Sequence, residues 1–176
     1  LLAASAAGKH ISAEKPLALT FEGARAALGA CPHSRVVLAV GHNRRFLPAA
    51  AAIKNLLANG ALGSLVHVEG NFSNNSGLAY EPSMWRSNEA GSKGAMTAMG
   101  VHLLDFFVHL YGPIATVTTV GTRRVMPVAI NDVVQVTLAF ESGATGYLST
   151  MLTTPRQWRV QVYGTAGWAH VRNEQV

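Results

Sequence analysis

Cysteine and charge are both scarce in this sequence. Cys31 is the only cysteine among 176 residues, which excludes an intrachain disulfide and fits a reducing cytoplasm. Charged side chains make up 13% of the chain against 49% apolar ones, a balance that excludes a disordered polyelectrolyte and supplies a core. No apolar run reaches the length of a membrane span. Leu1–Gly8 lacks the basic region of a signal peptide, and no initiator methionine precedes it. His102 and His109 stand a heptad apart without a cysteine cluster or a His-Glu-x-x-His pattern, so no metal site is expected. The net charge is +5, but apart from Arg44-Arg45 and Arg123-Arg124 the basic residues are scattered. Without a basic stripe, nucleic-acid binding is a minor alternative, with strong loss of binding on added salt as its first sign.

What is present reads first as alternating helix and strand. Leu1–Ala7 reads as the end of a helix capped by Gly8, and Ile11–Lys15 as a strand. Thr20 has the side chain of an N-cap, with Glu22 in the first turn of a helix over Phe21–Gly29. Pro32 and His33 make the connection to Val36–Gly41, a continuous apolar run of the kind buried on both faces of a parallel sheet. Pro48 suits the first turn of a helix to about Asn59, closed by Gly60. This is the grammar of a doubly wound α/β fold.

The pattern changes near Gly63. Val66, Val68 and Phe72 alternate with His67, Glu69 and Asn71, as in a strand with one wet face. Asn74–Ser92 reads as an irregular loop and Gly94–Tyr111 as a long helix closed by Gly112-Pro113. Thr116–Val120, Val133–Phe140, Ala144–Leu152, Trp158–Tyr163 and Trp168–Arg172 then have the period of strands in an antiparallel sheet. The expected domains are 1–62, a partial Rossmann-like dinucleotide-binding domain, and 63–176, a substrate and oligomerisation sheet domain. The fold class is α/β passing into α+β.

Four places can carry chemistry, and each also has a plain structural reading. Glu14, Lys15 and Pro16 close the first strand, where open α/β sheets bind ligands; a solvated surface lysine is the other reading. Asn43, Arg44 and Arg45 follow the second strand at the same kind of edge, or form a solvated loop. Trp85 and Arg86 face a ligand, or are a core aromatic beside a surface charge. His102 and Asp105 lie one turn apart on the long helix, beside the stripe of Met96, Met99, Leu103, Phe107 and Leu110 expected to face the sheet. A histidine there serves as general acid or base, or simply hydrogen-bonds locally with Asp105.

Taken together these segments resemble one family. Ala-Gly-Lys-His-Ile-Ser-Ala-Glu-Lys-Pro-Leu-Ala-Leu-Thr (7–20), Gly41-His42-Asn43-Arg44-Arg45-Phe46, Trp85-Arg86, Gly91 to Gly94 and Gly100-Val101-His102-Leu103-Leu104-Asp105 are similar to the signatures of the glucose–fructose oxidoreductase/inositol dehydrogenase (Gfo/Idh/MocA) family, in order and spacing. The resemblance implies a Rossmann domain followed by a large open sheet. It also implies hydride transfer between NAD or NADP and a sugar, polyol or related hydroxy compound. It implies that Lys15 polarises or protonates the substrate oxygen and that His102 is the general base, with Lys15, His102 and Asp105 meeting substrate. Glu14, Pro16, Asn43, Arg44, Trp85 and Arg86 are implied to line the cofactor site or the adjoining pocket.

Two departures bear on the mechanism. Ala98 stands where the family usually has an aspartate four residues before the histidine. The Gly-x-Gly-x-x-Gly turn that holds the dinucleotide pyrophosphate is not present. The expectation is therefore a shortened chain, inactive by itself. A non-catalytic relative that uses its sheet for binding or assembly is the alternative. A cytoplasmic homo-oligomer is expected, the mixed face of Val133, Gln135, Thr137 and Ala139 meeting a second subunit. Lys15 and His102 are expected to share a cavity walled by Trp85 or Arg86.

Overall fold

A computed structural model describes residues 1–88 and 90–173, with the side chains of residues 32–34 outside the description. By contact the chain divides into two compact units, Leu1–Asn43 and Arg44–Val176.

The first unit contains α1 (Leu2–Ala6), β1 (Ile11–Ala13), α2 (Phe21–Ser34) and β2 (Leu38–Val40). β1 and β2 pair in parallel, Ile11 opposite Leu38 and Ala13 opposite Val40. α1 gives way to Gly8 in the left-handed region at φ 67°, which a residue with a Cβ adopts at a cost. Thr20 caps α2 as its sequence indicates, its Oγ1 accepting from the Gly23 N–H at 3.1 Å. The helix does not stop at Gly29. It runs to Ser34 and ends where Arg35 turns left-handed at φ 53°. Ser5 Oγ donates to the Ala30 carbonyl at 2.9 Å, so α1 braces α2 just past the glycine. Such packing outweighs the roughly 1 kcal/mol that one interior glycine costs.

β2 is also shorter and wetter than its apolar run indicates. Ala39 is exposed, Leu38 and Val40 are half-buried, and Val37 is 64% exposed. Among the described residues its sheet has two strands, so β2 has a neighbour on one edge alone.

The second unit begins in a 3₁₀ turn spanning Asn43–Phe46 and continues into α3 (Pro48–Ala58). Pro48 opens α3, and Gly60 at φ 75° follows it. Ala50 and Ile53 of α3 are buried in the same core as the sheet. For that reason the division by contact falls at Asn43 and not at the glycines after the helix.

Among the described residues six strands form the sheet: β3 (Leu65–Ser73), β4 (Ile114–Thr122), β5 (Val133–Phe140), β6 (Thr145–Met151), β7 (Gln157–Gly164) and β8 (Trp168–Arg172). Their order is β4-β5-β6-β3-β7-β8. Neighbours run antiparallel except β3 and β6, which are parallel with His67 opposite Thr145 and Asn71 opposite Ser149. A parallel pair needs a crossover, and the long helix lies in that connection. The alternation of β5 is read correctly from sequence: Val134, Val136, Leu138 and Phe140 are 2–3% exposed, while Gln135 and Thr137 face out. β4 is longer than its pattern and mostly exposed, as an edge strand is.

The helix against this sheet is not uniform. Met96–Gly100 is a π-helical segment that passes into α4 (Val101–Tyr111), closed by Gly112 at φ 83°. The extra residue per turn rotates the stripe. Met99, Leu103 and Phe107 are buried as expected, Phe106 and Tyr111 join them, and Met96 and Leu110 are only partly buried. Ser92 and Thr97 hydroxyls meet at 2.9 Å, and Thr97 Oγ1 accepts from the Lys93 N–H at 3.0 Å. These bonds brace the loop entering the π segment.

No helix among the described residues is long and apolar enough to cross a membrane.

Candidate active site

Each unit places part of the expected constellation. In the first, the parallel register of β1 and β2 brings Glu14, Lys15 and Pro16 to the same carboxyl edge as Gly41, His42 and Asn43. The approach is close: a Cβ on Gly41 would stand 3.4 Å from the Ala13 carbonyl oxygen and 3.5 Å from Glu14 Oε2. Lys15 and Pro16 are half-buried, while Glu14 and Asn43 are exposed. This edge carries an acid, an amine and an amide side by side, donors and acceptors suited to a polar ligand.

In the second unit, α4 positions His102 directly after the π segment. His102 is 7% exposed. Its ring lies 5.9 Å from that of Phe72 on β3, tilted by 54°. Phe72 meets Trp158 of β7 edge-on at 5.0 Å, and Trp158 meets Phe106 edge-on at 6.0 Å. Arg44 covers this aromatic layer, its guanidinium carbon 5.2 Å from the Phe72 ring centre and 5.7 Å from that of Trp158. His102 therefore sits where the helix meets aromatic side chains of the sheet, with a fixed cation over the same rings.

Asp105 is one turn further along α4, and both its carboxylate oxygens are engaged. Arg45 Nε donates to Oδ2 at 2.7 Å and Nη2 donates to Oδ1 at 2.5 Å. The Asp105 side chain is 10% exposed and that of Arg45 39%. Hydrogen bonding to Asp105 is the main reason the Arg45 guanidinium titrates above its ordinary value. Ala98, in the π segment, is half-buried against the core.

Trp85 and Arg86 form a 3₁₀ turn with Ser87. Trp85 is 64% exposed, and the Arg86 guanidinium stacks 4.7 Å from its ring centre. Ser87 Oγ donates to the Glu81 carbonyl, and a Cβ on Gly91 would collide with the Trp85 carbonyl. The loop is thus fastened from both sides while it presents its aromatic face to solvent.

Sequence reading missed three contributors: Arg45 as a partner of Asp105, and Phe72 and Trp158 as neighbours of His102 and Arg44. Arg45 and Asp105 are 60 residues apart, and no local periodicity links them. No group of three or more His, Cys, Asp or Glu among the described residues could hold a metal ion.

One unit thus lays a helix with a buried histidine over an open sheet, and the other carries a parallel strand edge bearing Glu14-Lys15-Pro16. Residues 50–170 match the model of the GFO/IDH/MocA C-terminal domain, and the chain belongs to that family of sugar and polyol oxidoreductases. Levoglucosan dehydrogenase of Pseudarthrobacter phenanthrenivorans is 32% identical over 171 residues, 82% of this chain and 44% of that protein. The NADP(+)-dependent scyllo-inositol 2-dehydrogenase IolW of Bacillus subtilis is 31% identical over 122 residues, 67% of this chain and 33% of that protein. A solved levoglucosan dehydrogenase in complex with NADH superimposes with a TM-score of 0.90 at 28% identity, over 97% of this chain and 50% of that one. The chain spans half or less of the length of these relatives.

Proposed function

We propose that this chain supplies the nicotinamide-facing and substrate-facing residues of a dehydrogenase that moves hydride between NAD or NADP and a sugar-like or polyol hydroxyl. The observation that carries the reading is His102, a buried histidine held against Phe72 on the helix of the matched family domain. NADH in the levoglucosan dehydrogenase complex and NADP(+) in the name of the inositol dehydrogenase support the choice of cofactor.

In this reading His102 accepts the hydroxyl proton as hydride leaves the carbon. An imidazole suits the task because its pKa lies near neutrality. Lys15 holds positive charge near the substrate oxygen as charge builds on it. Glu14, Pro16 and Asn43 serve the nicotinamide end, and Trp85 and Arg86 serve the cofactor or the substrate. The bound cofactor supplies the hydride acceptor or donor; these residues orient it and handle the proton.

The 176 residues contain no Gly-x-Gly-x-x-Gly turn, so several charge-assisted bonds to the pyrophosphate, roughly 1.5–3 kcal/mol each, are not available from them. Alone, the chain has no measurable turnover and binds dinucleotide more weakly than micromolar. Residues 63–176 act as the substrate and oligomerisation module, and the outward sheet face of Gln135, Thr137 and Tyr147 meets a second copy.

Fluorescence titration with NADH and NADPH, with and without a panel of sugars and polyols, tests the reading. Saturable, weak binding that Lys15→Met reduces is expected. No binding of either dinucleotide would overturn the cofactor assignment, and micromolar binding would overturn the role given to the missing turn.

A further inference from the structure

The turn that follows β2 touches the surroundings of His102 twice, through consecutive residues. Arg44 lies over Phe72, the ring beside His102. Arg45 grips Asp105, one helical turn after His102, with two parallel hydrogen bonds. Residues 102 and 105 share a helix face at this spacing, so a clamp on one fixes the rotation of the helix at the other. The clamp acts just beyond the π segment of Met96–Gly100, where the helix changes its pitch.

The energetics point to placement, since an ion pair with one partner 39% exposed adds little to stability. A bidentate fork, by contrast, fixes distance and angle together. Asp105 has both oxygens committed to that fork.

We propose that Arg44 and Arg45 act as a positioning pair for His102: Arg45 fixes the helix through Asp105, and Arg44 fixes the Phe72 ring against which the imidazole rests. Asp105 is then a positioning residue and not a substrate ligand. The inference rests on the catalytic reading of His102 for its meaning but not for its test, which uses neither cofactor nor substrate.

The test is the ring-proton NMR signal of His102 in the 176-residue chain, assigned by its loss in His102→Gln. Phe72 gives this signal a ring-current shift, whereas exposed His10 serves as the unshifted reference. Arg45→Gln and Asp105→Asn should each move the His102 signal toward that of His10, and the double variant should move it no further, because the two side chains act as one unit. Arg45→Lys should recover part of the shift. The His67 signal, held on the opposite sheet face by Thr145 at 2.7 Å, should stay in place in all of them. An unmoved His102 signal in both single variants would overturn the proposal. So would parallel movement of His67, which would mark general loosening. A failed dinucleotide titration beside the expected NMR pattern would refute the dehydrogenase reading and leave the clamp standing.

Discussion

Gly70 of β3 lies directly beneath Phe107 of α4: a Cβ built on Gly70 would stand 2.7 Å from Phe107 Cζ and 3.0 Å from Leu103 Cδ2. Both side chains are fully buried and cannot withdraw. The contact sets how near the His102 helix comes to the sheet. Gly70→Val should cost about 1–3 kcal/mol, the usual range for overpacking. Urea unfolding measures it, and an unchanged midpoint would show that the helix does not rest there.

Asp132 organises the loop between β4 and β5. Its carboxylate is fully buried and accepts backbone N–H bonds from Arg124 at 2.8 Å, Val125 at 2.7 Å and Met126 at 2.9 Å. Burial pushes its pKa up, but these donors outweigh burial and hold it below the ordinary value. Stability from this group is therefore fully present above the unfolded pKa of about 3.9 and is lost as pH falls through the folded value. Asp132→Ala should cost about 1–3 kcal/mol, since it leaves the buried Met126 N–H and the part-buried N–H groups of Arg124 and Val125 without their acceptor. It should also flatten the acid limb of a melting-temperature profile below about pH 4.

His109 should make stability fall in mild acid. Desolvation, then Lys54 and Arg45, lower its pKa from 6.5, against a smaller opposing pull from Asp105. The unfolded chain takes up the proton first as pH drops, so stability declines below the unfolded pKa. His170 is lowered in the same direction by desolvation, Arg172 and Arg159. His109→Gln should reduce the stability lost between about pH 7 and about pH 5, and Lys54→Met should reduce it less. Thermal melts across that window check both.

The outward sheet face gives a further expected outcome. Glu69 and Arg159 pair across it at 3.2 Å, near the His67–Tyr163 ring contact at 5.9 Å. This mixed, half-buried surface suits a symmetric interface. Sedimentation should show concentration-dependent self-association that Tyr147→Glu weakens, and a monomer at every concentration would contradict it.

Elements with a strict period were legible in the sequence. β5 and its buried Val134, Val136, Leu138 and Phe140 follow from alternation, and Thr20 and Pro48 mark helix starts through their local chemistry. The continuation of α2 beyond Gly29 was not legible, because the Ser5–Ala30 bond lies outside any local window. Nor was the π segment, which moved Phe106 into the core. Motif order pointed to Lys15 and His102, whereas the neighbours that hold His102 come from β3, β7 and the Arg44–Arg45 turn. Their meeting depends on strand order β6-β3-β7, which periodicity does not encode.

Saturation-transfer NMR with NADH tests the central claim most directly, because it reports which end of a weakly bound dinucleotide touches the protein. The account predicts strong transfer to the nicotinamide protons, weaker transfer to the adenine protons, and loss of the nicotinamide signal in Lys15→Met. Transfer confined to the adenine, or nicotinamide transfer indifferent to Lys15, would contradict it.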